Sequence, residues 1–181
     1  TLNWYNASIG GTLVGTGTSF TTPSLSSTTT YYVESLNGVC SSSRSAVVAT
    51  VNTTPTITST TPATRCGSGS VTISATASAG TIWWYDAPTA GTLLASGTSF
   101  SPNVTVTTTY YVETTLNGCT SPRTAVVVTV NTTPTITSTT PASRCDAGTV
   151  TLQATASSGT LNWYSAPTGG TSLGTGTSYT T

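Results

Sequence analysis

A short segment with two adjacent tryptophans, Thr81-Ile82-Trp83-Trp84-Tyr85, gives the strongest structural signal in this sequence. Side chains of a β-strand point to opposite faces in turn, so Trp84 is expected to face a core and Trp83 to face outward. The segment has counterparts at Trp4, 80 residues earlier, and at Trp163, 79 residues later. We therefore predict the same β-strand, with an inward tryptophan, at three places in the chain.

The rest of the chain repeats with the same spacing, which sets its organisation. Residues 53–80 align without gaps to residues 132–159, and 21 of these 28 positions are identical. The spacing predicts three units, at residues 1–52, 53–131 and 132–181, of which the middle one is complete. We expect the chain to be a window from a longer tandem array.

Turn residues divide the complete unit into seven short segments, the count expected of an immunoglobulin-like β-sandwich. The predicted strands are A at 56–60, B at 71–75, C at 81–85, D from 92, E from 98, F at 109–113 and G at 124–130. The first unit then holds strands C to G, and the last holds strands A to E. An odd number of strands places the two termini of a domain at opposite ends. The predicted fold class is therefore all-β, with tandem seven-stranded sandwiches arranged end to end as a rod.

The core of each sandwich is predicted to surround the strand C tryptophan, which normally packs at the centre of strands B and F. Ile73 and Val112 take the positions that cysteines hold in many such domains, and Tyr110 fits the position of a tyrosine corner. The predicted core residues are Trp4, Trp84, Trp163, Ile73, Tyr110 and Val112, with Val71, Ala75, Ile82, Val126, Val128 and Val130 also inward.

The composition excludes several functions. Charged residues are 4% of the chain, namely four Arg, two Asp and two Glu, and Lys and His are absent. Nucleic acid binding needs clustered cations, zinc sites usually include His, which is absent, and four carboxylates are too few to build calcium cages. No apolar run reaches the length of a membrane span. Eight Tyr and four Trp argue against disorder, so we expect a secreted or surface-exposed β-protein without cofactor or metal.

Catalysis is not expected from the few carboxylates. Glu34 and Glu113 are copies of each other, and a glutamate such as Glu113 is expected to pair with a nearby arginine on the surface. Asp86 and Asp146 occupy different positions of the repeat, and neither has a second carboxylate nearby for acid–base work. The sequence therefore predicts a protein that is not an enzyme.

Four motifs resemble those of a known family: Trp84–Pro88, Gly97–Phe100, Thr107–Glu113 and Gly118–Arg123. They resemble the Ig-like repeats of very large Bacteroidota cell-surface proteins, which include gliding-motility adhesins and other proteins exported by type IX secretion. The resemblance covers all three units. It implies an extracellular or bacterial cell-surface location and a stalk or filament of many such domains, and it transfers no catalytic residue.

Each full repeat has one cysteine in the A–B turn and one in the F–G turn, and a surface location permits disulfides. The bond can close within the middle unit, between Cys66 and Cys119. Alternatively, the A–B cysteine of one repeat bonds the F–G cysteine of the next. The two turns are expected at opposite ends of a sandwich, whereas a disulfide needs Cα atoms within about 7 Å of each other. Both pairings remain open, and the disulfide candidates are Cys40, Cys66, Cys119 and Cys145.

Two functions are consistent with these features. The first is a stiff stalk or spacer that holds a binding tip away from the cell, with neighbouring repeats of the same chain as partners. The short linker at 132–134 contains a proline, which favours a semi-rigid junction. The alternative is a carbohydrate-binding module in which outward aromatics, such as Trp83 with Tyr85 and Tyr111, contact a surface polysaccharide. Uncharged edge strands lack the lysines that discourage edge pairing, so lateral self-association is a further expectation.

Overall fold

The structure, a computed structural model, describes residues 1–181 and consists of β-strands joined by turns and loops. The all-β fold class predicted from the sequence is confirmed. The chain divides into two compact units, one of residues 1–62, 72–101 and 109–127, and the other of residues 63–71, 102–108 and 128–181. No helical segment has the combination of length and hydropathy that crossing a membrane requires.

The first repeat, residues 1–52, forms one antiparallel sheet. Its strands are β1 (Leu2–Tyr5), β2 (Leu13–Thr16), β3 (Thr29–Asn37), β4 (Cys40–Ser41) and β5 (Ser45–Ala49). The long strand β3 pairs with β1, β4 and β5, and β2 pairs with β1. Strand β3 begins with threonine, tyrosine and valine residues, which suit a pleated and partly buried surface.

The middle repeat, residues 53–131, has eleven strands. They are β6 (Ile57–Thr61), β7 (Ala63–Cys66), β8 (Gly69–Ser70), β9 (Ile73–Ala77), β10 (Thr81–Tyr85), β11 (Leu93–Ser96), β12 (Ser99–Phe100), β13 (Asn103–Val104), β14 (Thr108–Leu116), β15 (Cys119–Thr120) and β16 (Thr124–Asn131). The seven predicted strands A to G correspond to β6, β9, β10, β11, β12, β14 and β16. One sheet has the order β11-β10-β14-β16-β7, and another has the order β12-β9-β6. The short strands β8 and β13 pair with each other, and β15 pairs with β14 in the F–G hairpin.

Strand A of the middle repeat is divided in two at Pro62. Before this proline, β6 pairs antiparallel with β9, and after it, β7 pairs parallel with β16. Proline has no amide hydrogen to donate to a ladder, so it ends the first pairing and lets the chain change partners. The register places Cys66 opposite Asn131, the last residue of β16. The A–B turn therefore lies at the end of the repeat from which the chain leaves.

The third repeat, residues 132–181, contains counterparts of strands A to E. They are β17 (Ile136–Thr140), β18 (Thr151–Ala156), β19 (Asn162–Tyr164), β20 (Ser172–Thr175) and β21 (Ser178–Thr180). Strands β17, β18 and β21 form one sheet, and β19 and β20 form a second. Residues 142–145, which correspond to β7, form no strand. Their parallel partner would be a strand G, and residues 132–181 contain none.

The centre of the middle sandwich is aromatic and closely packed. Trp84, Ile73 and Val112 have no solvent exposure, and Tyr110 is 9% exposed. The ring of Phe100 contacts the rings of Trp84 and Tyr110, with centroid distances of 6.0 and 5.3 Å. Aromatic pairs at such distances stabilise a fold by about 0.5–1.5 kcal/mol each, beyond the effect of their buried area. Burial also raises the pKa of the Tyr110 hydroxyl.

The counterparts of this tryptophan are less completely covered. Trp4 and Trp163 are partly exposed, whereas the core prediction treated them like Trp84. Residues 1–52 have no strands A and B, which belong to the opposing sheet. Residues 132–181 have no strands F and G, which extend the sheet of strand C itself, so each tryptophan lacks part of its surroundings. The two valines at the ends of the predicted strands B and G, Val71 and Val130, are partly exposed as well.

Each strand C tryptophan nevertheless makes the same hydrogen bond. Its indole N–H donates to the carbonyl oxygen of a glycine 13 residues later at 2.9 Å, in the pairs Trp4–Gly17, Trp84–Gly97 and Trp163–Gly176. These glycines have φ values of 103, 105 and 111°, a conformation that other residues rarely adopt. The turn therefore requires glycine, and it satisfies the indole donor in all three repeats.

Candidate functional site

Three side chains of the middle repeat, Tyr85, Glu113 and Arg123, form a group that we call the Arg123 cluster. Tyr85 lies on β10, Glu113 lies on the paired strand β14, and Arg123 immediately precedes β16. Arg123 Nε donates to Glu113 Oε2 at 2.9 Å, and the guanidinium carbon lies 3.4 Å from the centre of the Tyr85 ring. The planar guanidinium thus pairs with a carboxylate and stacks on an aromatic face at the same time.

The same guanidinium holds the turn that follows strand C. Arg123 Nη1 donates to the carbonyl oxygens of Ala87 and Ala90. Across this turn, the backbone N–H of Thr92 donates to Asp86 Oδ1 at 2.7 Å. Hydrogen bonds to charged groups stabilise a fold by about 1.5–3 kcal/mol. The cluster therefore fixes the turn between β10 and β11 to the sheet.

The side chains of this cluster are mostly buried. The side chains of Arg123 and Glu113 are 13% and 14% exposed, so water screens their ion pair only in part. Burial, followed by the hydrogen bond to Glu113, raises the pKa of the Tyr85 hydroxyl. The arrangement is that of a structural network, in which Arg123 engages both the carboxylate and the tyrosine ring.

The first repeat has a copy of the cluster, made of Tyr5, Glu34 and Arg44. The Tyr5 hydroxyl donates to Glu34 Oε1 at 2.8 Å, and Arg44 Nε donates to Glu34 Oε2 at 3.2 Å. The hydrogen bond from Tyr5, helped by Arg44 and opposed by desolvation, lowers the pKa of Glu34. Arg44 also donates to the carbonyl oxygens of Ala7 and Gly10, in the turn after strand C. The cluster is thus a repeated element of the domain.

The third repeat has the tyrosine of the cluster without its two partners. Tyr164 is 55% exposed, and residues 132–181 contain no glutamate. The turn after strand C is held by a neutral hydrogen bond, from the backbone N–H of Thr171 to Ser165 Oγ at 2.9 Å. Because the partners come from strand F and from the start of strand G, the cluster forms only where those strands are present.

Trp83 lies on the same outer face as the cluster and is partly exposed. Its neighbours in register belong to β11 and β14. Two residues along β10, the ring face of Tyr85 is covered by Arg123, so these aromatics do not form a continuous open strip. The counterparts of Trp83 are Asn3, which is 9% exposed, and Asn162, which is exposed. An outward tryptophan is therefore a feature of the middle repeat alone.

The four cysteines are free thiols in the structure. Cys66 is exposed and lies opposite Asn131, and Cys119 Sγ is 3.9 Å from the carbonyl oxygen of Asn52. Cys40 and Cys145 are exposed as well. Neither of the two pairings considered from the sequence is formed within this chain.

One cavity is an uncovered part of a core. It lies in the third repeat and is lined largely by apolar or aromatic positions of the sandwich, namely Ile136, Ala154, Leu161, Trp163 and Tyr164. It has no converging acid, base or nucleophile. No group of three or more His, Cys, Asp and Glu side chains lies close enough together to hold a metal ion.

These features define a class of protein: tandem immunoglobulin-like β-sandwich domains, each built around a strand C tryptophan. A family model described as "Ig-like domain CHU_C associated" matches the chain at residues 1–52, 53–131 and 132–181. The chain therefore belongs to this family, whose domains are found in Bacteroidota surface proteins. The resemblance drawn from the four sequence motifs is confirmed. No curated protein matches the chain.

Proposed function

We propose that these repeats form a structural spacer, a non-catalytic stalk or filament on a bacterial cell surface that holds a binding tip away from the cell. Membership of the Ig-like family supports a structural repeat region. The few charged side chains support it too, because Arg44 and Arg123 bind their glutamates and adjacent turns. These groups hold the fold together and leave no acid–base pair open for chemistry.

The observation that carries the proposal is the direction of the chain through the middle repeat. Residues 63–66 of β7 and residues 128–131 of β16 run parallel. The second half of strand A, where the chain enters the domain, and strand G, where it leaves, therefore run in the same direction. We expect the next domain to begin at the end opposite to the previous one, so that each added copy adds length, as a spacer requires.

The low charge of the chain suits the same role. Only 4% of residues are charged, and threonine and serine are the most frequent polar residues. Such a chain has few long-range interactions for salt to screen. It also has no cluster of carboxylates that a divalent cation would need to rigidify it. Its dimensions are expected to be independent of salt and of divalent cations.

Solution X-ray scattering of the full chain tests the spacer directly. The profile would be recorded at low salt, at about 1 M salt, where the Debye length falls to about 3 Å, and with a chelator. We expect the same extended profile in all three conditions. A compact profile, or one that changes when salt is added or divalent cations are removed, would contradict the proposal.

The cellular setting is part of the proposal. The occurrence of this family in Bacteroidota surface proteins supports an extracellular location, and with it a gliding-motility adhesin exported by type IX secretion. Antibody labelling of intact cells of the source organism, before and after protease treatment of the surface, tests the location. Labelling that appears only after cell lysis would contradict it.

A carbohydrate-binding module is the second hypothesis, and the partly exposed indole of Trp83 supports it. The stacking of Arg123 on Tyr85 weakens it, because a second open aromatic face is missing. Titration of the full chain with bacterial surface polysaccharides would use Trp83→Ala and, as a control that keeps an aromatic ring, Trp83→Phe. Binding lost only in Trp83→Ala would support the module, and no binding by the unmodified chain would contradict it.

Neighbouring repeats and laterally placed copies are the proposed partners. The edge strand β11 exposes Leu93 and Leu94, and its counterparts expose Leu13 and Leu173. The chain contains no lysine, the residue that commonly prevents an edge strand from pairing with another strand. Sedimentation velocity at increasing concentration is expected to show association, and replacing Leu93 by Lys is expected to reduce it. A single monomeric species at all concentrations would contradict lateral assembly.

A further inference from the structure

The position of one asparagine relates the cysteines of consecutive repeats. In the middle repeat, Cys66 lies opposite Asn131 in the parallel pair of β7 and β16. The backbone N–H of Gly67, the next residue, donates to the carbonyl oxygen of Asn131 at 2.9 Å. The A–B cysteine of a repeat therefore lies beside the asparagine that ends strand G of the same repeat.

The F–G cysteine of a repeat lies beside the equivalent asparagine of the preceding repeat. Asn52 is the counterpart of Asn131, 79 residues earlier. Cys119 Sγ is 3.9 Å from the carbonyl oxygen of Asn52, and Asn52 Nδ2 donates to the carbonyl oxygen of Asn117 at 3.4 Å. The F–G hairpin of the middle repeat thus contacts the end of strand G of the first.

Burial at the two linkers agrees with this contact. Pro55, three residues after Asn52, is buried, whereas its counterpart Pro134, three residues after Asn131, is exposed. The linker at Asn52 has an F–G hairpin beside it. The linker at Asn131 has none, because residues 132–181 contain no strands F and G.

We propose that, wherever two complete repeats follow each other, the A–B cysteine of the first forms a disulfide with the F–G cysteine of the second. Adjacent strands lie about 4.8 Å apart, and disulfides join Cα atoms about 4.4–6.8 Å apart. Two cysteines that lie beside the same asparagine are within bonding reach when both lie on the same side of it, and the proposal requires that placement. Residues 1–52 contain no A–B cysteine and residues 132–181 contain no F–G cysteine, so neither Cys66 nor Cys119 has this partner within the sequence.

Formation of the bond is a two-electron oxidation. Two thiols lose two protons and two electrons as the sulfur–sulfur bond forms, and an oxidant of the disulfide class takes them up and becomes two thiols. The exposed position of Cys66 and the partly exposed position of Cys119 allow such an oxidant to reach them. The bond would fasten each domain to the next, and it does not depend on the spacer role.

The test uses the full chain with residues 53–131 duplicated in place, so that two complete repeats follow each other. One variant keeps Cys66 of the first copy and Cys119 of the second copy. A matched control keeps Cys66 and Cys119 of the same copy, and in both proteins every other cysteine is replaced by serine. Each protein is reduced, exposed to oxidised glutathione, alkylated in denaturant and analysed by mass spectrometry.

We expect the first variant to lose both free thiols and become lighter by two hydrogen atoms, while the control keeps both thiols. Hydrogen exchange of β10 and β14 in the reduced proteins verifies that both are folded. A bond that closes in the control overturns the proposal, and so do thiols that stay free in the folded first variant. Peptide mapping of the unmodified chain without reductant is an independent check, in which a Cys66–Cys119 peptide would also overturn it.

Discussion

The middle and third repeats have closely similar strands A to C, yet they bury them differently. Trp84 has no solvent exposure, whereas Trp163 is partly exposed and Tyr164 beside it is 55% exposed. Residues 63–66 form a strand in the middle repeat, and residues 142–145 form none in the third. The middle repeat differs by having strands F and G, which supply the missing half of the core and the partner of β7.

The comparison separates what a segment does alone from what the whole domain does. The indole N–H of the strand C tryptophan finds its glycine carbonyl at 2.9 Å in both repeats. That turn is local and forms with or without the opposite strands. Burial of the ring, the arginine cluster and the second half of strand A need residues 28 to 65 positions away, as in the pairs Trp84–Val112 and Ala63–Val128, because a sheet is completed and covered by strands that are distant in sequence.

Removal of the strand C tryptophan gives the largest expected difference between the two repeats. Trp84→Ala is expected to destabilise the middle repeat by about 3–5 kcal/mol, the range for a fully buried large aromatic. Trp163→Ala is expected to cost about 1–2 kcal/mol less, because less area leaves water there on folding. Hydrogen exchange of β10 and β19 at increasing denaturant measures the two separately, as tandem domains need not unfold together. Equal losses would contradict the difference in burial.

Loss of Arg123 should expose Tyr85 of the middle repeat to about the same extent as Tyr164 of the third. Arg123→Ala removes the ion pair, the stacking and two turn hydrogen bonds, and it is expected to destabilise the repeat by about 2 kcal/mol. Tyr85 should then react with a nitrating reagent nearly as fast as Tyr164. Arg123→Lys keeps the charge but loses the planar guanidinium, so its rate of Tyr85 nitration should lie between those of the unmodified chain and Arg123→Ala. An unchanged rate of Tyr85 nitration in Arg123→Ala would contradict the covering role.

A smaller difference is expected at the A–B turn. Arg65 donates to the carbonyl oxygens of Gly67, Ser68 and Ser70 at 2.8, 2.7 and 2.6 Å. Arg144, its counterpart, makes longer bonds of 3.4 and 3.3 Å. Arg65→Ala is therefore expected to cost about 1 kcal/mol, and Arg144→Ala less than about 0.5 kcal/mol. Hydrogen exchange at residues 63–70 and 142–149 measures both, and equal effects would contradict the difference between the two sets of arginine hydrogen bonds.

The smallest expected difference is in acid, which should destabilise the first repeat more than the third. The pKa of Glu34 is lowered from its ordinary value of 4.5, chiefly by the hydrogen bond from Tyr5. The resulting stability is present above the unfolded pKa and is lost as the pH falls through the lowered folded pKa. The third repeat contains no glutamate and should not share this loss. In an NMR titration, Tyr5→Phe should raise the pKa of Glu34, and an unchanged value would contradict the assignment.

The strands could be predicted from the sequence because the alternation of side chains, the turn residues and the repeat all indicated similar boundaries. The division of strand A was not predicted, although Pro62 carries the signal in its missing amide hydrogen. Val71 was predicted inward, but β9 begins only at Ile73, and the Val71 N–H donates to the carbonyl oxygen of Pro102. Pairings such as these depend on residues distant in sequence, so a local pattern does not determine them.

The candidate site was predicted in part. The sequence indicated that Glu113 would pair with an arginine, and the structure identifies Arg123 as that partner. The stacking on Tyr85 was missed, because alternation gives the direction of a side chain and not what covers it. The spacing of ten residues between glutamate and arginine, present in both Glu34–Arg44 and Glu113–Arg123, is the signal that links strand F to the start of strand G.

The spacer model is tested by the change in maximum dimension when residues 53–131 are duplicated within the full chain. Solution scattering of the two proteins, in reductant, gives this change and the cross-section. The model predicts an increase of about 30 Å, near the length of a nine-residue strand such as β14, with an unchanged cross-section. A maximum dimension that hardly changes, with a thicker cross-section, would contradict domains that add length with each copy.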